Sequence, residues 1–127
     1  MPVTQYSAGP QLFDPGLITG GGGYTYAAGL TATAGGGRAN ALPLTAGINR
    51  VSTVATAADS VALPPAYGGQ VVIVVNAAAT NAMQVFAAVG TSDTINGVAA
   101  ATGISLAAGK ADSFVSVPGA WYGNLSA

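Results

Sequence analysis

Gln70-Val71-Val72-Ile73-Val74-Val75-Asn76 is the stretch on which the reading of this chain turns. Successive side chains of a strand point to opposite faces, so a run apolar at every position needs cover on both sides. In a small all-β domain one face packs against a partner sheet. For the other face the expected cover is a second copy of the chain or the surface of a larger assembly, because little charge is available to solvate it.

Around that segment the 127 residues hold three cations, four carboxylates and a net charge of −1, while half of the residues are apolar. Ala dominates the apolar share and stands beside 19 Gly, with one Trp, three Phe and five Tyr. Small side chains bury little area each. At about 25 cal/mol per Å² of apolar surface, burial between subunits supplements a core of this kind.

Residues 1–40 differ from the rest. Two glycine runs, Gly20 to Gly23 and Gly35 to Gly37, and the prolines Pro2, Pro10 and Pro15 interrupt any periodic face. Such a segment cannot offset its ordering entropy by local packing, which predicts an extended N-terminal arm. Leu12, Phe13, Leu17, Ile18, Tyr24 and Tyr26 are its adhesive residues, expected to contact a neighbouring subunit or the surface of a larger shell. From residue 41 to 127 the pattern changes to short Val-, Thr- and Ile-rich runs. They predict strands at Arg50 to Ala55, Ser60 to Leu63, Gln70 to Asn76, Ala82 to Ala88, Thr94 to Ile95, Ile104 to Leu106, Ser113 to Val117 and Trp121 to Leu125. Turn signals separate them, among them Pro64-Pro65, Tyr67-Gly68-Gly69, Asn96-Gly97 and Pro118-Gly119. Regular short strands with such turns predict an all-β fold, an antiparallel β-sandwich.

The chemistry on offer is narrow. His, Cys and Glu are absent and the four Asp lie far apart in sequence, which removes the common acid–base, nucleophilic and thiol constellations. The reading is therefore not an enzyme, with no catalytic residue, no metal and no cofactor. Asp59, Asp93 and Asp112 are expected in turns or at strand edges, accepting from backbone N–H groups. The Gly20 to Gly23 run leads into Tyr24-Thr25-Tyr26 instead of the Lys and Ser/Thr of a phosphate loop. The scattered Arg38, Arg50 and Lys110 make no basic stripe for nucleic acid. The longest apolar run ends at Asn76, short of the roughly 20 residues of a membrane helix. Met1 to Tyr6 has neither part of a secretory signal.

Val71, Val72, Ile73, Val74, Val75, Phe86, Phe114 and Trp121 are the expected core or oligomer-interface residues, since aromatics and aliphatics carry burial when most side chains are small. Trp121 and Tyr122 are adjacent in a strand and must face opposite ways.

From Gly47 onward the chain resembles a family of small bacteriophage virion proteins, described as head decoration or cement proteins or head-fibre components. The residues that carry the likeness are Gly47-Ile48-Asn49-Arg50-Val51, Asp59-Ser60-Val61-Ala62-Leu63-Pro64, Val85-Phe86, Asp93-Thr94-Ile95-Asn96-Gly97, Leu106-Ala107-Ala108-Gly109 and Gly119-Ala120-Trp121-Tyr122. The arm before Gly47 takes no part in it. The resemblance implies a jelly-roll-like sandwich, commonly a homotrimer, on the outer surface of the virion head, where it bridges and stabilises major capsid protein subunits. A fibre component that binds a receptor or glycan through Tyr67, Trp121 or Tyr122 is the alternative, and a self-assembling fibrous protein built on Val71 to Val75 is a third reading.

Overall fold

The computed structural model describes residues 24–124. Among these residues ten strands form two sheets around one main core. Tyr26–Thr31 (β1), Ile48–Thr53 (β3) and Val71–Asn76 (β5) lie side by side and parallel. The strands between them in sequence, Leu42–Pro43 (β2) and Ser60–Ala62 (β4), belong to the opposite sheet, where they run parallel to each other and to Met83–Phe86 (β6). Parallel neighbours need a crossover. Here each crossover is a strand of the other sheet, so the chain winds through three coils of a two-sheet β-solenoid.

After β6 the winding stops. Ile104–Leu106 (β8) turns back antiparallel to β6, and Lys110–Val117 (β9) turns back antiparallel to β5. Ala120–Tyr122 (β10) pairs antiparallel with β9 and parallel with Thr94–Ile95 (β7). The larger sheet thus has the order β1-β3-β5-β9-β10-β7, and the smaller β2-β4-β6-β8.

Parallel pairing corrects the sequence reading. The all-β class and the two sheets hold, but the connectivity is that of a solenoid, not an antiparallel jelly roll. Short strands with regular turns look alike in both, because a turn residue marks a corner without saying whether the chain reverses there. The segment assigned to the extended arm also changes: its residues 24–40 carry β1 and a 3₁₀ turn, Arg38–Asn40, within the fold. Residues 1–23 lie outside the described residues. The strands expected from Arg50 and from Trp121 start earlier, at Ile48 and Ala120.

Alternation explains the core. Val51, Val72, Val74, Phe114 and Trp121 point inward from the larger sheet and meet Val61, Met83, Val85, Ile104 and Leu106 from the smaller. Burying one such side chain contributes about 1.5–3 kcal/mol. The coil corners carry polar backbone into this interior, and asparagines satisfy it. Buried Asn49 donates from Nδ2 to the Ala46 and Ile73 carbonyls at 2.8 and 3.3 Å. Buried Asn76 donates to the Asn81 and Leu106 carbonyls at 3.0 and 2.9 Å. Asn81 in turn reaches the Val54 and Ala55 carbonyls in the preceding coil.

Candidate interaction surface

Opposite the core, the larger sheet presents an outer face. Strand register places its side chains in rows. Val71 on β5 lies beside Val115 on β9, and Val115 beside Tyr122 on β10. In the next row Tyr26, Ile48, Ile73 and Ser113 follow one another across β1, β3, β5 and β9. A third row holds Arg50, Val75 and Ala111. Val71, Val115, Val117, Tyr122 and Tyr26 are exposed, and Ile48, Ile73 and Val75 are half-buried. At about 4.8 Å between strands, six strands make a face roughly 25 Å wide. Arg50 stands as the single charge in these three rows. A contiguous exposed apolar face of this kind is uncommon on a monomeric domain and makes this sheet the candidate contact surface.

The expected core or interface residues therefore separate into three groups. Val72, Val74, Phe114 and Trp121 are in the main core. Val71, Ile73 and Val75 are on the outer face of the larger sheet. Phe86 belongs to neither; with Ala41 and Ala62 it forms a small buried cluster on the outer side of the smaller sheet. Of the adhesive residues, Tyr24 and Tyr26 are exposed, at 54% and 76% of their surface. Leu12, Phe13, Leu17 and Ile18 lie outside the described residues.

Ile48, Val115, Val117 and Tyr122 share the outer face and are missing from the interface residues expected from sequence. The signal for two of them is present in Lys110–Val117, where Asp112, Phe114 and Ser116 are buried and Val115 and Val117, between or beyond them, are exposed. A strand whose inward positions are polar at two of three places hides its facing until register is known.

Of the three aromatics of the glycan-binding alternative, Trp121 is not available at the surface. Trp121 is fully buried, and its Nε1–H donates to the Pro64 carbonyl at 3.0 Å, so this ring fills the core and holds a corner. Its neighbour Tyr122 faces outward, as alternation requires. Tyr67 is exposed in the loop that bridges to Pro118, its backbone N–H held by Gln70 Oε1 at 2.7 Å.

The three described carboxylates serve the backbone. Asp59 Oδ2 accepts from the Thr56 N–H at 3.1 Å, and Asp93 Oδ2 accepts from the Ala66 N–H at 2.8 Å. Asp112 Oδ1 accepts from Ser113 and Asn124 N–H groups at 2.9 and 3.2 Å. Among the described residues no three His, Cys, Asp or Glu side chains come together as metal ligands. No helix among them is long and apolar enough to cross a membrane. A groove of about 410 Å³ runs along three coil corners, walled by Pro43, Leu44, Leu63, Pro64, Pro65 and Val89. It has the size of a ligand pocket but lacks the convergent polar groups that orient a bound molecule. Compared with known proteins, the chain matches no family model, no curated protein and no solved structure.

Proposed function

We propose that this protein is a structural component of a bacteriophage particle, a decoration protein that sits on the outer surface of the head and stabilises the shell by bridging major capsid subunits. The observation that carries the proposal is the apolar outer face of the larger sheet. That face offers shape and apolar area in rows of valine, isoleucine and tyrosine, which suits adhesion between proteins. The resemblance of the chain from Gly47 onward to small virion proteins points the same way. In this reading the protein acts by mass action: a ligand that binds the mature shell better than its precursor shifts the equilibrium toward the mature shell. Copies repeated over the lattice add their weak contacts through multivalency. A homotrimer is the expected unit.

A fibre component is the second reading, and the coil geometry favours it, since parallel coils stack along one axis and exposed Tyr67 and Tyr122 offer flat rings to a glycan. Copy number per particle separates the two, because a cement protein approaches the number of capsid subunits.

The test is a light-scattering mass of the purified protein followed by mixing with capsids and pelleting. The expected result is a trimer that sediments with shells near one copy per capsid subunit and raises their melting temperature. A monomer that stays in the supernatant rejects decoration.

A further inference from the structure

The solenoid's two ends are finished differently. At the far end the last coil is covered by strands that fold back, β9 on β5 and β8 on β6. At the near end, β1 and β2 are the edges of their sheets, with no described strand beyond them. Leu30 and Leu42 pack against the core there and remain only partly buried. A solenoid coil cannot bury its apolar end alone, which is why terminal coils are capped. β1 is also the longest of the edge strands and carries no charge or proline. Its single blunting feature is a register irregularity around Gly29, whose φ is +74°; the half at Tyr26 and Ala27 pairs in regular register. A long neutral edge of this kind accepts another strand.

The coil period identifies the occupant. In the larger sheet one coil carries the chain from Tyr26 to its neighbour Ile48, and the next from Ile48 to Ile73. In the smaller sheet the corresponding steps run from Leu42 to Val61 and from Val61 to Val85. One further step of either size backward lands on positions 1–4 opposite Tyr26 and on 18–23 opposite Leu42. Those positions fall on or beside Val3-Thr4-Gln5-Tyr6, which runs from Val3 through polar Thr4 and Gln5 to Tyr6, and Leu17-Ile18-Thr19, which opens on two aliphatic residues. The corners that lead into the larger sheet carry glycine just before the strand, Gly47 ahead of β3 and Gly68-Gly69 ahead of β5. Gly20 to Gly23 occupy the same place ahead of β1. The residues ahead of Tyr24 thus match a coil in the spacing of these two segments and in the position of glycine.

We propose that residues 3–19 of the same chain dock in parallel on β1 and β2, Val3 to Tyr6 along the first and Leu17 to Thr19 along the second, and so cap the near end of the solenoid. The proposal assigns Leu17 and Ile18 an intrachain role and stands whether or not the protein binds capsids.

A cysteine pair tests it, because the chain has no cysteine of its own. Neighbouring strands lie about 4.8 Å apart, within the Cα range of a disulfide. In the full-length protein Ile18→Cys with Leu42→Cys is oxidised beside a control, Ile18→Cys with Ser105→Cys, which sits on β8 at the opposite edge of the smaller sheet. The expected result is an intrachain disulfide in the first pair that forms at least tenfold faster than in the control. Equal rates in the two pairs, no disulfide, or a disulfide only between chains overturns the proposal, the last assigning the edge to a second copy. Hydrogen exchange supplies an independent reading: Ile18→Asp is expected to speed exchange across Tyr26–Thr31 about tenfold or more while β9 is unchanged. Unaltered exchange at β1 in the folded variant also overturns the proposal.

Discussion

The two sheets have outer faces that meet opposite fates. On the smaller sheet the outward side chains Ala62 and Phe86 are buried with Ala41, under chain that returns over them. Gly103 lies so close there that a Cβ would stand 2.6 Å from Gln84 Oε1 and 3.0 Å from the Phe86 ring, so a side chain at that position would have to displace both. Arg38, in the 3₁₀ turn between β1 and β2, reaches across to the Ala87, Ala88 and Thr91 carbonyls and to Thr91 Oγ1, tying the cover to the loop after β6. On the larger sheet the outward side chains are as apolar, yet no described segment crosses Val71, Val115 or Tyr122, and all three are exposed. An Ala-rich chain of this length has covered one sheet with its own loops. The other stands open among the described residues.

The sharpest way to break that contrast is to place the same charge on the two faces of β5. Val74 is fully buried in the main core. Val74→Asp puts a carboxylate among aliphatic side chains with no partner, and is expected to cost more than about 4 kcal/mol, the far end of single substitutions. A domain of marginal stability does not survive that, so thermal unfolding monitored by circular dichroism should show no folded baseline. A cooperative transition near the wild-type temperature would mean that the inward face of β5 is not where the structure puts it.

The covered face gives the intermediate effect. Arg38→Met keeps the stem of the side chain and removes the guanidinium from three carbonyls. Hydrogen bonds to charged groups contribute about 1.5–3 kcal/mol, so a loss in that range is expected in the denaturant midpoint with the slope unchanged. Binding of a dye specific for exposed apolar surface should rise as the cover over Phe86 loosens. An unchanged midpoint would show that the loop holds the cover without Arg38.

How much of this is legible in the chain depends on what each residue reports. Val71 to Val75 announce two apolar faces, and the structure has two: Val72 and Val74 inward, Val71, Ile73 and Val75 outward. The Asp residues are legible as backbone acceptors because a short carboxylate beside turn residues has few other uses. Parallel pairing is not legible, since it depends on which distant segments become neighbours. Asn76 shows the difficulty: in sequence it ends an apolar run like any turn residue, whereas in the fold it is buried and joins β5 to the carbonyl of Leu106 on β8. β1 is hidden by its surroundings. Glycine runs on either side of Tyr24 to Ala34 dilute the strand signal, and the strand is stabilised by β3, a full coil away in sequence, more than by its own propensity.

The smallest effect on folding belongs to the uncovered face, where it should coincide with the largest effect on assembly. Val75 lies on the outer face between Arg50 on β3 and Ala111 on β9, and is half-buried in the isolated chain. A carboxylate there keeps access to water and gains a cation as its cross-strand neighbour, so Val75→Asp is expected to cost about 1 kcal/mol or less in stability. If this face is buried between copies or against a shell, the same carboxylate becomes a desolvated charge at a protein interface. The light-scattering mass should then fall to that of the monomer, or capsid binding should be lost, while the unfolding curve stays close to wild type. Val75→Asp that keeps both the mass and the binding would remove the outer face as the site of contact. The exposed tyrosines Tyr67 and Tyr122 would then become the residues to test, by Tyr→Ala substitution and binding to a glycan panel.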